Sequence, residues 1–210
     1  MTGLMNKKIV SYMNELFPNP RCELNYQKDY ELLIAVMLSA QTTDKRVNMV
    51  TDILFKKFDT IEKLSRASEA EIIEIIRPIG TFNKKAKNII NISKLLLTEK
   101  QGKVPNDRQY LESLPGVGRK TANVVLSNLF GVPCIAVDTH VSRVSKRLGI
   151  SDIDDSPYVV EKKLNNIFCL SDLSKLHHQF VLFGRYNCTA RKPKCDNCKL
   201  KDICTYINKK

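Results

Sequence analysis

The chain has 210 residues, 43% of them hydrophobic, enough to bury a substantial core in one large domain or two small ones. Lys and Arg outnumber Asp and Glu 34 to 22, giving a net charge of +12, and this excess points to a polyanionic partner, nucleic acid ahead of a membrane surface. The longest apolar run, Leu32 to Leu38, is far too short to span a bilayer, and residues 1–13 lack the apolar stretch and cleavage pattern of a leader, so the reading is a soluble cytoplasmic protein with no membrane partner. Seven cysteines, an odd number, argue against a secreted disulfide framework, and Cys22, Cys134 and Cys169 read as reduced thiols in partly buried positions.

No segment alternates with a period of two, whereas apolar spacings of three and four recur throughout, so the chain reads as all-α. The first helices fall at about 30–39 and 43–58. Ser68 and Glu71 form a capping box ahead of Ile72, Ile75 and Ile76, and Pro78 stops that helix. Ile89, Ile92 and Leu96 mark one face of the next, with Gly102 placed to end it. Further helices are expected at about 107–113, 119–130, 139–148, 157–169 and 174–184. No low-complexity linker or fixed-period repeat interrupts them, so a division into two domains has to be made by chain crossing.

Leu114-Pro115-Gly116-Val117-Gly118-Arg119-Lys120-Thr121 lies between two of these helices. Its two glycines permit backbone conformations that side chains forbid and bare N–H groups at the start of the second helix, where the helix dipole adds positive potential. Such a turn binds phosphate, although Pro-Gly alone is also an ordinary turn signal. Lys120 falls in the first turn of the second helix, where the positive helix end and any neighbouring desolvation both disfavour an ammonium ion. A neutral amine there is a nucleophile for a sugar carbon, while a lysine simply pairing with phosphate fits the same context. Asp138 follows the apolar run Ile135-Ala136-Val137 and precedes a helix carrying Val141, Val144 and Leu148. It reads equally as an N-cap and as a carboxylate that stabilises an oxocarbenium-like sugar or helps to deprotonate the lysine.

The last 23 residues hold four cysteines, Cys188, Cys195, Cys198 and Cys204, spaced C-x6-C-x2-C-x5-C. That spacing marks a small metal-centred element, with an iron-sulfur cluster, zinc and disulfides all open from spacing alone.

Taken together, ELLIAVMLSAQTTD (Glu31 to Asp44), LPGVGRKTANVV (Leu114 to Val125), VDTHVSRVSKRLG (Val137 to Gly149) and the cysteine tail resemble the endonuclease III family of helix-hairpin-helix DNA glycosylases over nearly the whole chain. The resemblance implies a six-helix domain at 22–132, with the hairpin at about 107–130, and a cluster domain formed by residues 1–21 and 133–210. It implies a cleft between them across which Lys120 and Asp138 face each other. The implied activity is bifunctional: removal of oxidised pyrimidines from duplex DNA through a Lys120 Schiff base, then strand cleavage at the abasic site, with Asp138 as the catalytic carboxylate. A structural [4Fe-4S] cluster on the four cysteines follows, as does a monomer acting on damaged or abasic duplex DNA.

By the same resemblance Gly116, Val117, Gly118 and Arg119 contact the DNA backbone, Arg191, Lys192 and Lys194 grip phosphates from the loop before Cys195, and Gln41 enters the space left by an extruded nucleotide. At Thr81 the chain departs from its relatives, which carry a larger apolar side chain there as a second wedge, with Phe82 placed to compensate. His140 matches a position beside the active centre, although packing explains a histidine on that helix equally well. Two rivals are a monofunctional glycosylase, against which Lys120 and the short C-terminus argue, and a non-catalytic DNA-binding module with a zinc-bound tail.

Overall fold

Apolar spacings of three and four become helix along the whole chain. The computed structural model describes residues 3–208 and runs α1 (Gly3–Leu16), α2 (Asp29–Leu38), α3 (Asp44–Lys57), α4 (Ile61–Arg66), α5 (Glu69–Ile76), α6 (Phe82–Lys100), α7 (Arg108–Ser113), α8 (Arg119–Phe130), α9 (Thr139–Arg147), α10 (Pro157–Ile167), α11 (Leu170–Tyr186) and, after a 3-10 turn at Lys201–Ile203, α12 (Thr205–Asn208). Among the described residues there is no strand, and no helix is long and apolar enough to cross a membrane. Met1, Thr2, Lys209 and Lys210, which the expected cluster domain includes, lie outside the described residues.

The chain divides into two compact units, one comprising Glu23–Phe130 and the other the chain up to Cys22 together with everything from Gly131 onward. In the middle unit α2 is buried at every position after Asp29, and a helix apolar all round has to be wrapped by others. Helices α3, α6 and α8 supply that wrapping. Glu31 is buried without penalty because it closes a capping box, accepting from Gln27 N at 2.7 Å and Lys28 N at 3.2 Å. The Ser68–Glu71 box starts α5 as its sequence dictates. Gly102, with φ 78°, ends α6 by donating its N–H to Leu96 O at 2.8 Å.

The second unit is built from both chain segments. Ile9, Tyr12 and Met13 of α1 enter one core with Val141 and Val144 of α9, Leu148 at its C-cap, Leu164 of α10, and Leu173, Leu176, Phe180 and Phe183 of α11. Ser156 caps α10 and Pro157 occupies its first turn, where no N–H is needed. The structure adds α1, α4 and the short α12 to the helices expected from sequence and starts α11 at Leu170 rather than 174. Cys134 is buried and Cys22 half-buried, but Cys169 is exposed because it precedes the first residue of α11 at the surface.

Candidate nucleic-acid interface and metal centre

The turn between α7 and α8 is anchored by Leu114 and Val117, both buried, and closed by the Val117 N–H donating to Leu114 O at 3.1 Å. Val117 therefore points into its own unit and uses its N–H internally. Gly116 has φ 80°, and a Cβ on it would lie 2.3 Å from Asn88 Nδ2 and 3.4 Å from Met37 Cγ, so the turn rests directly on α6 and α2. Gly118 differs. Its φ is not positive, and a Cβ there would meet nothing within 4 Å. Only one of the two glycines is thus required by backbone conformation; the other leaves the head of α8 bare toward the outside. Helical bonding begins with Ala122 N donating to Gly118 O at 3.0 Å, so the amides of Gly118, Lys120 and Thr121 form the open helix end. Arg108 on α7 bonds the buried Asn123 Oδ1 on α8 and reaches Glu112 at 3.5 Å, bracing the hairpin from behind.

Arg119 and Lys120 are exposed at this helix end. Elsewhere in the same unit Gln41 follows the end of α2, exposed and left-handed at φ 57°. Thr81, also exposed, is the left-handed N-cap of α6 at φ 57°, with Phe82 half-buried beside it. Sequence reasoning missed Lys85, whose ammonium is buried beneath the Gln41 turn.

In the other unit Ile135, Ala136 and Val137 are buried in a non-helical segment and deliver Asp138 to the head of α9. Asp138 is the N-cap: Oδ1 accepts from His140 N and Val141 N, both at 2.8 Å. That leaves Oδ2 without a hydrogen bond among the described residues. One carboxylate oxygen fixes the helix and the cap makes no use of the other, so the capping and chemical readings coexist. His140 is half-buried with Nδ1 3.2 Å from Arg143 Nη2; a guanidinium only donates, so Nδ1 is the acceptor. Arg143 also donates to Gly184 O at 2.8 Å and Cys188 O at 3.1 Å. Helices α9 and α11 touch at Gly184, where a Cβ would lie 2.8 Å from that of His140.

Burial holds the His140 pKa below the ordinary histidine value, with the Arg143 and Arg185 charges acting the same way and Asp138 opposing them. A group whose folded pKa is depressed contributes stability above its unfolded pKa and loses it as pH falls through the folded one. The unfolding midpoint is therefore expected to fall as the pH drops below about 6.5, the free histidine value. His140→Gln, which keeps an acceptor but does not titrate, is expected to flatten that slope, as thermal melts across the range would show.

All four tail cysteines line a single cavity of about 260 Å³, walled by Tyr12, Leu148, Phe183 and Leu200. Among the described residues no three Cys, His, Asp or Glu side chains converge closely enough to hold one metal ion. A lone zinc draws four sulfurs to about 2.3 Å from one centre, whereas a cubane spreads them over its corners, and one cavity with four separated thiols suits the cubane. Burial pushes the Cys198 thiol up; the Leu200 backbone N–H pulls it down, and the charges of Cys188, Cys204 and Cys195 add to the rise. A thiolate at Cys198 thus needs a cationic partner beside it. Arg147, on the last turn of α9, donates to Cys188 Sγ at 3.3 Å, to Thr189 O at 2.8 Å and to Ala190 O at 3.0 Å. Its grip fixes the start of the loop on which Arg191, Lys192 and Lys194 stand exposed.

A helical fold with a glycine hairpin at the head of one helix and a four-thiol cluster site defines a class, the HhH-GPD superfamily of base excision DNA repair proteins, whose model matches residues 34–168. A second model, the iron-sulfur binding domain of endonuclease III, matches residues 188–204. The endonuclease III of Rickettsia felis is 50% identical over 97% of this chain and 97% of its own, and that of Bacillus subtilis 46% identical over 96% and 94%. A solved structure of a trapped endonuclease III–DNA covalent intermediate superposes with a TM-score of 0.95 at 46% identity, covering 100% of this chain and 98% of that one. The chain belongs to the endonuclease III family. It is accordingly a bifunctional DNA glycosylase and abasic-site lyase of base excision repair, acts on duplex DNA and carries a [4Fe-4S] cluster.

Proposed function

We propose that Lys120 is the nucleophile, Asp138 the catalytic carboxylate and oxidised pyrimidines the bases removed. The observation that carries this is an exposed lysine in the first turn of α8, two residues after a glycine whose missing side chain leaves the helix end open. The amides of Gly118 and its neighbours bind a backbone phosphate, aided by the helix end and by Arg119. The neutral Lys120 amine then attacks the sugar at C1′, and the bond from C1′ to the base breaks, its electron pair leaving with the base, which takes up a proton. Asp138, anchored through Oδ1, offers Oδ2 to the positive charge that develops on the sugar. The sugar ring opens to an imine joined to Lys120. Loss of a C2′ proton then expels the 3′ phosphate oxygen, which breaks the strand, and water releases the lysine.

Gln41 fills the gap left by the extruded nucleotide, and the Thr81–Phe82 turn lies against the same duplex. Cys188, Cys195, Cys198 and Cys204 hold the cluster, which supplies a rigid cationic core for the loop carrying Arg191, Lys192 and Lys194. That loop binds phosphate, and its grip is lost with rising salt. Such a protein works in the cytoplasm on the nucleoid.

The test is incision of 5′-labelled duplexes, each with one defined lesion. Thymine glycol and oxidised cytosine duplexes are expected to be cut, and an undamaged duplex or one with an adenine mispair to stay intact. Release of adenine without strand cleavage would overturn the reading in favour of a monofunctional enzyme.

A further inference from the structure

Lys85 is 5% exposed, and its ammonium donates to Leu38 O at 2.9 Å, Ala40 O at 2.8 Å and Thr42 Oγ1 at 3.4 Å. Among the described residues it takes part in no ion pair, and burial lowers its pKa. A buried ammonium held only by carbonyl and hydroxyl oxygens is costly, so its position calls for a reason. Two of its acceptors, Ala40 and Thr42, flank Gln41, which the turn holds exposed at φ 57°. A left-handed glutamine is strained by roughly 1–2 kcal/mol, so the turn keeps this shape only if something pins both of its sides. The Lys85 backbone reaches the other loop as well. Its N–H donates to Thr81 O at 3.1 Å, the first helical bond after a second left-handed residue. One residue thus fastens the Gln41 turn with its side chain and the Thr81 turn with its main chain.

We infer that Lys85 is a positioning residue for duplex opening, locking the Gln41 and Thr81 turns into one rigid wedge that presents Gln41 to the space left by the flipped nucleotide. This rests on the reading of Gln41 given above. Opening a stacked damaged pair costs a few kcal/mol, whereas an abasic nucleotide has less stacking to lose. A loosened wedge therefore harms base excision more than incision at a site that already lacks its base. A merely structural lysine would lower both alike.

The experiment uses the full, cluster-loaded enzyme well below its unfolding temperature. Single-turnover rates are measured on a thymine glycol duplex and on an abasic duplex of the same sequence, with 2-aminopurine opposite the lesion to report unstacking. Lys85→Met is expected to lower excision about 10-fold or more and incision at the abasic site less than about 3-fold, with loss of the fluorescence rise on binding. Lys85→Arg restores both. Because Lys85 acts through Gln41, Lys85→Met adds little in a Gln41→Ala background. Equal losses on the two duplexes, or an unchanged fluorescence rise, overturn the inference. Should Lys85→Met fail to fold, Thr42→Val removes one acceptor and is expected to shift the same ratio by about 3-fold; no shift overturns the inference equally. If Gln41→Ala itself leaves ratio and fluorescence unchanged, the reading of Gln41 fails; if Gln41→Ala moves them and Lys85→Met does not, only the wedge lock fails.

Discussion

Lys120→Ala is expected to abolish borohydride-dependent cross-linking to a thymine glycol duplex and to lower strand incision by at least about 1,000-fold, since no other amine stands in the first turn of α8 to replace it. The exposure of Lys120 makes the experiment clean. Truncating an exposed side chain in a helix changes stability by no more than about 0.5 kcal/mol, so the melting temperature stays at the wild-type value and the loss belongs to chemistry. Binding to an abasic duplex survives, because the hairpin amides are untouched, and weakens by the one charge removed from beside the phosphate. Gel-resolved trapping with and without reductant, run beside a thermal melt, reads all three quantities. Cross-linking of Lys120→Ala at the wild-type rate would move the nucleophile elsewhere.

The hairpin glycines give the second large effect, and they are expected to fail in opposite ways. At Gly116→Ala the new Cβ meets Asn88 Nδ2 at 2.3 Å on a backbone at φ 80°. Strain of about 1–2 kcal/mol for the left-handed conformation adds to about 1–3 kcal/mol for overpacking, so the middle unit melts well below wild type and the turn is displaced from α6. Gly118→Ala meets open space on a backbone that any residue adopts, and its melt stays unchanged. Its methyl group instead occupies the approach to the open amides of α8, and affinity for abasic duplex is expected to fall about 10-fold or more for the lost phosphate contact. A thermal melt and a binding titration on both variants separate the two glycines. Identical behaviour would mean that Gly118 is not where the strand approaches.

Residues that signal through local spacing were legible before any coordinates. Ser68 and Glu71 close their box, Asp138 caps α9, and Gly102 ends α6, because each depends on partners no more than six positions away. The stripe Ile89, Ile92 and Leu96 also predicts Lys85 when carried back one turn, since Lys85 lies four residues before Ile89 on the same face; a lysine in that register is a buried lysine. Helix α1, which was not expected from the sequence, carries a signal of the same kind in Met5, Ile9, Tyr12 and Met13. What spacing does not carry is the partner. Asn88 beneath Gly116 and Arg147 on the carbonyls of residues 188–190 join segments 28 or more positions apart, and only packing brings them together. The unequal roles of Gly116 and Gly118 were hidden for that reason, because two glycines two residues apart look alike until one is seen pressed against a side chain.

The core shared by α1 and α9–α11 has a consequence for synthesis. Ile9 and Met13 are fully buried, yet apart from Phe17, just past the end of α1, the apolar cluster they join outside that helix is made of residues after Gly131. At ribosomal rates of about 5–20 residues per second, the opening helix waits some seconds to half a minute, without a hydrophobic surface of its own to settle on, while the middle unit is made and can fold ahead of it. The newborn chain therefore carries its first segment as an unsheltered amphipathic strip until the tail emerges, and this interval is when a chaperone has most to protect.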